Sequence, residues 1–80
     1  MEKDLPVADL EVDASGLKCP LPILRAKKAL AQLESGQVLK VITTDQHAVR
    51  DFKAFSDQTG NALLLQSEFD GAAVHFLQRR

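Results

Sequence analysis

Leu10 and Val12 alternate with Asp9, Glu11 and Asp13, a period of two that predicts a half-buried strand before a loop at Ala14-Ser15-Gly16. Past Cys19-Pro20-Leu21-Pro22 the period changes. Ile23, Ala26, Leu30 and Leu33 fall at offsets 0, 3, 7 and 10, with Arg25, Lys28 and Gln32 on the other side, which predicts an amphipathic helix closed by Ser35-Gly36. Residues 38–43 (VLKVIT) are nearly continuously apolar and rich in β-branched side chains, the pattern of a central and best-protected strand. Asp45 is the predicted N-cap of a second helix whose inner face carries Ala48, Phe52, Phe55 and Thr59 and which stops at Gly60-Asn61. Residues 62–68 and 73–78 predict two further strands around Asp70-Gly71, a pair that favours a tight hairpin turn.

The order βαβαββ is that of an α/β chain. Right-handed crossovers would place both helices on one face of one sheet, giving a two-layer α/β sandwich with the other sheet surface facing solvent. Residues 1–8 read as a flexible N-terminal arm and residues 9–80 as a single domain.

Composition narrows the function. Eighty residues support one small core and leave little room for an enclosed substrate cavity, which disfavours a self-contained enzyme with a deep pocket. Ten Lys and Arg against eleven Asp and Glu give a formal charge of -1, so no basic field draws nucleic acid, and direct DNA binding is not expected. The apolar runs fall far short of the roughly 20 residues a membrane helix needs, and MEKDLPVADL lacks the apolar core of a secretory signal. A single cysteine cannot close an internal disulfide, and a reducing cytoplasm is the expected location.

Cys19 is the one strong nucleophile in the chain. Pro20 excludes helical geometry from the residue before it and is itself suited to the first turn of a helix, as is Pro22; the first helical residue is therefore Pro20 or Pro22. Either choice brings a helix N-terminus, with N–H groups such as those of Ile23 and Leu24, toward the sulfur and favours thiolate. An ordinary thiol with a pKa of about 8.5 is only ~3% ionised at pH 7, so a lowered pKa would matter. Lys18 and Arg25 are the expected electrostatic helpers. The competing reading is a small buried hydrophobe, the commoner fate of a lone cysteine, against which stands its position in a loop between Gly16 and two prolines.

Gly16-Leu17-Lys18-Cys19-Pro20-Leu21-Pro22-Ile23, preceded by Asp13 and followed by a basic amphipathic helix, resembles the TusA/SirA-like sulfur-carrier family, whose hallmark is a Cys-Pro-x-Pro motif at the start of the first helix. The resemblance extends from Leu10 to the C-terminus and includes Thr43-Thr44-Asp45, Arg50-Asp51 and the Asp70-Gly71 hairpin. It implies a mixed four-stranded sheet and a carrier-type sulfurtransferase that needs no cofactor of its own. Cys19 would accept a sulfane sulfur as a persulfide from a cysteine desulfurase or another donor and pass it to an acceptor protein, as in tRNA thiolation or another sulfur-trafficking pathway. Gly16, Pro20 and Pro22 would set the geometry of the motif, and a monomer is expected. Where some members carry a second cysteine, this chain has Ser56, so the chemistry rests on Cys19 alone.

Other features have plainer accounts. Lys27 and Lys28 read as a solvated helix face. Arg50 is a candidate for binding a sulfur anion and, with Asp45, for electrostatic or partner-docking roles, against the simpler roles of surface ion pair for Arg50 and helix cap for Asp45. His47 and His75 lack metal-ligand spacing, and no metal site is expected. Phe52, Phe55, Phe69 and Phe76 are assigned to core packing. Two rival functions remain: a noncatalytic regulatory or interaction domain binding RNA or protein, and a peroxide-sensing thiol, which the missing resolving cysteine weakens.

Overall fold

The chain alternates strand and helix twice before its C-terminal hairpin: β1 (Leu10–Ala14), α1 (Leu21–Ala31), β2 (Val38–Thr43), α2 (Ala48–Thr59), β3 (Ala62–Phe69) and β4 (Ala72–Gln78). These come from a computed structural model that describes residues 6–80, so residues 1–5 of the predicted arm lie outside the described residues. The sheet is mixed, in the order β1-β2-β4-β3, with β1 and β2 parallel and β4 antiparallel to both of its neighbours.

Alternation decides which side chains meet the helices. Leu39, Val41 and Leu77 from the two central strands join Ala14 from β1, Ala26, Ala29 and Leu30 from α1, and Ala48, Phe52 and Phe55 from α2 in one buried cluster. Both helices therefore cover the same face, as the element order predicts. Phe52 and Phe55 meet edge to face at 6.3 Å, a favoured geometry for aromatic pairs.

The opposite face is not simply polar. Val38, Val74 and Phe76 are buried there in a second cluster, with Ala8, Ile42 and Leu65 packed against it. Ala8 reaches this face because the chain just before β1 is pinned to β2: the Asp9 N–H donates to the Val38 carbonyl at 2.8 Å, and the Val38 N–H donates to Asp9 Oδ2 at 2.8 Å. Phe69 departs from the core assignment, being 55% exposed at the end of β3.

Three further expectations need correction. β2 is central, as predicted, but the best-protected strand is β4, with five consecutive buried residues where β2 leaves Lys40 and Ile42 partly exposed. Helix α1 ends at Ala31 with Gln32 as its C-cap, not at Ser35-Gly36; the Gly36 N–H instead donates to the Arg79 carbonyl at 2.7 Å. The first helical residue is neither proline but Leu21 between them, with Pro20 as N-cap and Pro22 buried in the first turn. The hairpin stands where predicted, Asp70 and Gly71 both taking the positive φ (49° and 78°) that such a tight turn requires.

Candidate functional site

Cys19 sits between β1 and α1, exposed, with exposed Lys18 and Pro20 on either side. The loop that carries it turns at Gly16, whose φ of +80° is a left-handed conformation costly for any residue with a Cβ. Two bonds from across the sheet hold that loop. Thr44 Oγ1 accepts from the Gly16 N–H at 2.8 Å, and Asp45 Oδ2 accepts from the Cys19 N–H at 2.7 Å. Parallel pairing makes this geometry available: Ala14 lies opposite Thr43 at the ends of β1 and β2, so the residues that follow each strand emerge side by side. Gly16, Leu17, Lys18 and Cys19 from one segment and Thr44 to His47 from the other line a single open cleft.

Asp45 does not cap α2. The N-cap is His47, which makes no side-chain capping bond, and Asp45 lies two residues earlier, where Oδ1 accepts the His47 N–H at 3.1 Å and approaches the His47 ring nitrogen Nδ1 at 3.5 Å. The N–H groups of His47 and then Cys19 hold the Asp45 carboxyl below its ordinary pKa.

The sulfur itself meets acids rather than bases. A hydrogen bond from the thiol to the Asp51 side chain pushes the Cys19 pKa above its ordinary value, with desolvation and then the negative charges of Asp51 and Asp45 acting in the same direction. Only Arg50 opposes them. This corrects the expectation of a favoured thiolate, and of the two expected donors the Leu24 N–H is already given to the Pro20 carbonyl at 3.1 Å. Lys18 and Arg25, the expected helpers, are not among the groups that shift the thiol, although Lys18 lines the same cleft.

Comparison with known proteins decides the family. The model of the family described as sulfurtransferase TusA matches residues 10–80. The chain belongs to the TusA family. A relative in this family, the sulfur carrier protein TusA of Allochromatium vinosum, is 58% identical over 72 residues, spanning 90% of this chain and 93% of that one. A putative sulfur carrier protein of Neisseria meningitidis is 56% identical over 69 residues, 86% of this chain and 93% of its own. Among solved structures, the SirA-like protein of Desulfitobacterium hafniense superposes with a TM-score of 0.77 at 31% identity, covering 86% of this chain and 95% of that one.

In this TusA-family chain, Gly16, Cys19 and Asp45 of the predicted site come together in one cleft, Pro20 and Pro22 frame the first turn of α1, and Arg50 acts on the thiol through its charge. Arg25 lies on the exposed side of α1 and does not line the cleft. Arg50 approaches the neighbouring Asp51 at 3.9 Å, the surface pairing with an acid that its simpler role predicts. Leu21 and Leu24, 47% and 53% exposed, place an apolar patch at the same end of α1 as the cysteine. Sequence reasoning did not assign a role to Thr44 or Asp51. An acid in the first turn of the second helix was the available signal for Asp51, but its meaning depends on the two helix starts lying together. Ser56 donates its hydroxyl to the Asn61 carbonyl at 2.6 Å. His75 is buried among core residues, donating Nε2–H to Thr43 Oγ1 at 2.8 Å while Nδ1 accepts from Gln66 Nε2 at 2.9 Å. Among the described residues, no helix is long and apolar enough to cross a membrane.

Proposed function

We propose that this chain is a carrier-type sulfurtransferase in a cytoplasmic sulfur relay, with Cys19 as the residue that carries the sulfur. The observation that carries this reading is an exposed lone cysteine, fixed by its own backbone in an open cleft, in a chain of the TusA family. A carrier must present one sulfur to two partners in turn, which an open site permits and an enclosed pocket would hinder. The exposed Leu21 and Leu24 offer apolar contact area to partners beside that sulfur.

In the transfer, the Cys19 sulfur, as thiolate, attacks the terminal sulfur of a donor persulfide. A new S–S bond forms on Cys19, the donor's S–S bond breaks, and the donor cysteine leaves as thiolate. The proton lost by the Cys19 thiol balances the one the donor thiolate takes up, so a protonated donor persulfide and Cys19 thiol become a Cys19 persulfide and a donor thiol without any external oxidant. In this reading Asp51, whose carboxyl raises the thiol pKa, takes up that proton. A second exchange of the same kind moves the sulfur to the acceptor. A cysteine desulfurase is the donor best matched to this chemistry, the acceptor is a further relay protein, and the carrier acts as a monomer.

The test is the intact mass of the protein after incubation with a cysteine desulfurase and cysteine, beside Cys19→Ser. One added sulfur atom, removed by reductant and absent from the variant, is the expected result. Equal labelling of both proteins, or none of the wild type by desulfurase or by inorganic polysulfide, would overturn the assignment.

A further inference from the structure

Thr43 ends β2 facing inward, bonded to His75, and the next two side chains both turn onto the thiol loop. Thr44 holds the Gly16 N–H and Asp45 holds the Cys19 N–H, at 2.8 and 2.7 Å, so the two ends of a four-residue loop are fixed by two consecutive residues of another segment. Asp45 is well placed to act as a rigid anchor. Its side chain is only 9% exposed, and its second oxygen is engaged by the His47 N–H, which ties the anchor to the start of α2.

We propose that Thr44 and Asp45 are a positioning pair for sulfur transfer, holding the Cys19 backbone so that the sulfur points along the line of attack on a protein-borne persulfide. This deepens the carrier reading and rests on it. Charge gives Asp45 no favourable role, because an acid beside a nucleophilic sulfur opposes ionisation. Its hydrogen bonds do provide one. A carboxylate is a stronger acceptor for a backbone N–H than a neutral oxygen or water, and exchange between two protein-bound sulfurs demands close alignment of three atoms, where small displacements are costly.

The experiment compares Asp45→Ala, Asp45→Asn and Thr44→Val with wild type by three readouts: sulfur loading from a cysteine desulfurase and cysteine, hydrogen exchange of the Cys19 amide by NMR, and alkylation by iodoacetamide at pH 7. Asp45→Ala should load about tenfold more slowly and exchange the Cys19 amide about tenfold faster, while alkylation by the small reagent, which needs no alignment, is not slowed. Asp45→Asn, whose amide oxygen can accept the same N–H, should stay within about threefold of wild type in loading, and Thr44→Val should lose about threefold. A merely structural effect would slow alkylation and loading together or leave amide exchange at Cys19 unchanged, and either result overturns the proposal. Asparagine as slow as alanine would overturn it too, by assigning the effect to charge. Should Asp45→Ala fail to fold, Asp45→Asn and Thr44→Val carry the same comparison. A wild type that takes no sulfur overturns the carrier reading, with the transfer role that depends on it; normal wild-type loading with unaltered variants overturns the positioning pair alone.

Discussion

Cys19 and His75 occupy opposite kinds of environment and are both disfavoured from carrying charge. Cys19 is exposed at the helix-start end of the molecule, where Asp51 pushes the thiol pKa above its ordinary value. His75 is fully enclosed between the central strands and α2, stacked on Phe52 at 4.5 Å, and burial pushes its pKa down to about 4. Neighbouring groups govern the first and solvent exclusion the second. The difference separates a site that can be retuned by a partner from one that is part of the core. A change at Asp51 acts on the thiol directly, whereas the imidazole has no surface open to solvent.

The strongest contrast lies in stability. His75→Ala should cost about 3 to 4 kcal/mol in urea unfolding followed by circular dichroism, since it opens a cavity and strips Gln66 and Thr43 of a partner. Cys19→Ala should stay within about 0.5 kcal/mol of wild type, as an exposed side chain with no core contact. Equal losses would dissolve the distinction.

Acid should act next, and through His75 alone of the two. The unfolded imidazole binds its proton near pH 6.5 and the folded one near 4, so between these values the unfolded chain holds more protons. This contribution to stability is complete above pH 6.5 and falls as pH drops toward 4, by up to about 3 kcal/mol. Urea titrations at a series of pH values would show the slope, and a flat stability from pH 7 to 4.5 would mean that His75 is not enclosed in solution.

The smallest effect concerns the thiol. Asp51→Asn removes an acceptor and a negative charge, so the pKa of Cys19 should fall toward its ordinary value, and alkylation at pH 7 should accelerate by about threefold or more. A midpoint of the pH–alkylation profile that stays put would show that Asp51 does not hold the proton.

Much of this arrangement was legible in the chain. The strand and helix periods, the Asp70-Gly71 turn and the Cys-Pro-x-Pro segment fixed the element order and singled out Cys19. The sulfur's electrostatics were read with the wrong sign, because helix-end polarity and nearby cations are local in sequence, while Asp51 and Asp45 reach the thiol from a segment more than twenty residues away. The sheet holds a second feature that periodicity does not show. Leu63 and Leu65 should share a face by a period of two, yet a register shift between them sends Leu63 toward the helices and Leu65 to the opposite cluster. That shift leaves Leu64 43% exposed and sets Gln66 beside His75.

Periodicity, turn residues and motif spacing report what each segment does with its own neighbours, and on those matters the amino-acid order was sufficient: which segments are helix or strand, where the hairpin turns, and that one cysteine leads into a helix. The contacts between segments were settled by folding. Parallel pairing of β1 with β2 brought Thr44 and Asp45 to the thiol loop, and the common helix face brought the start of α2, with Asp51, to the sulfur. A pKa and a backbone anchor depend on distance through space, and distances between remote segments exist only once the sheet has chosen its neighbours.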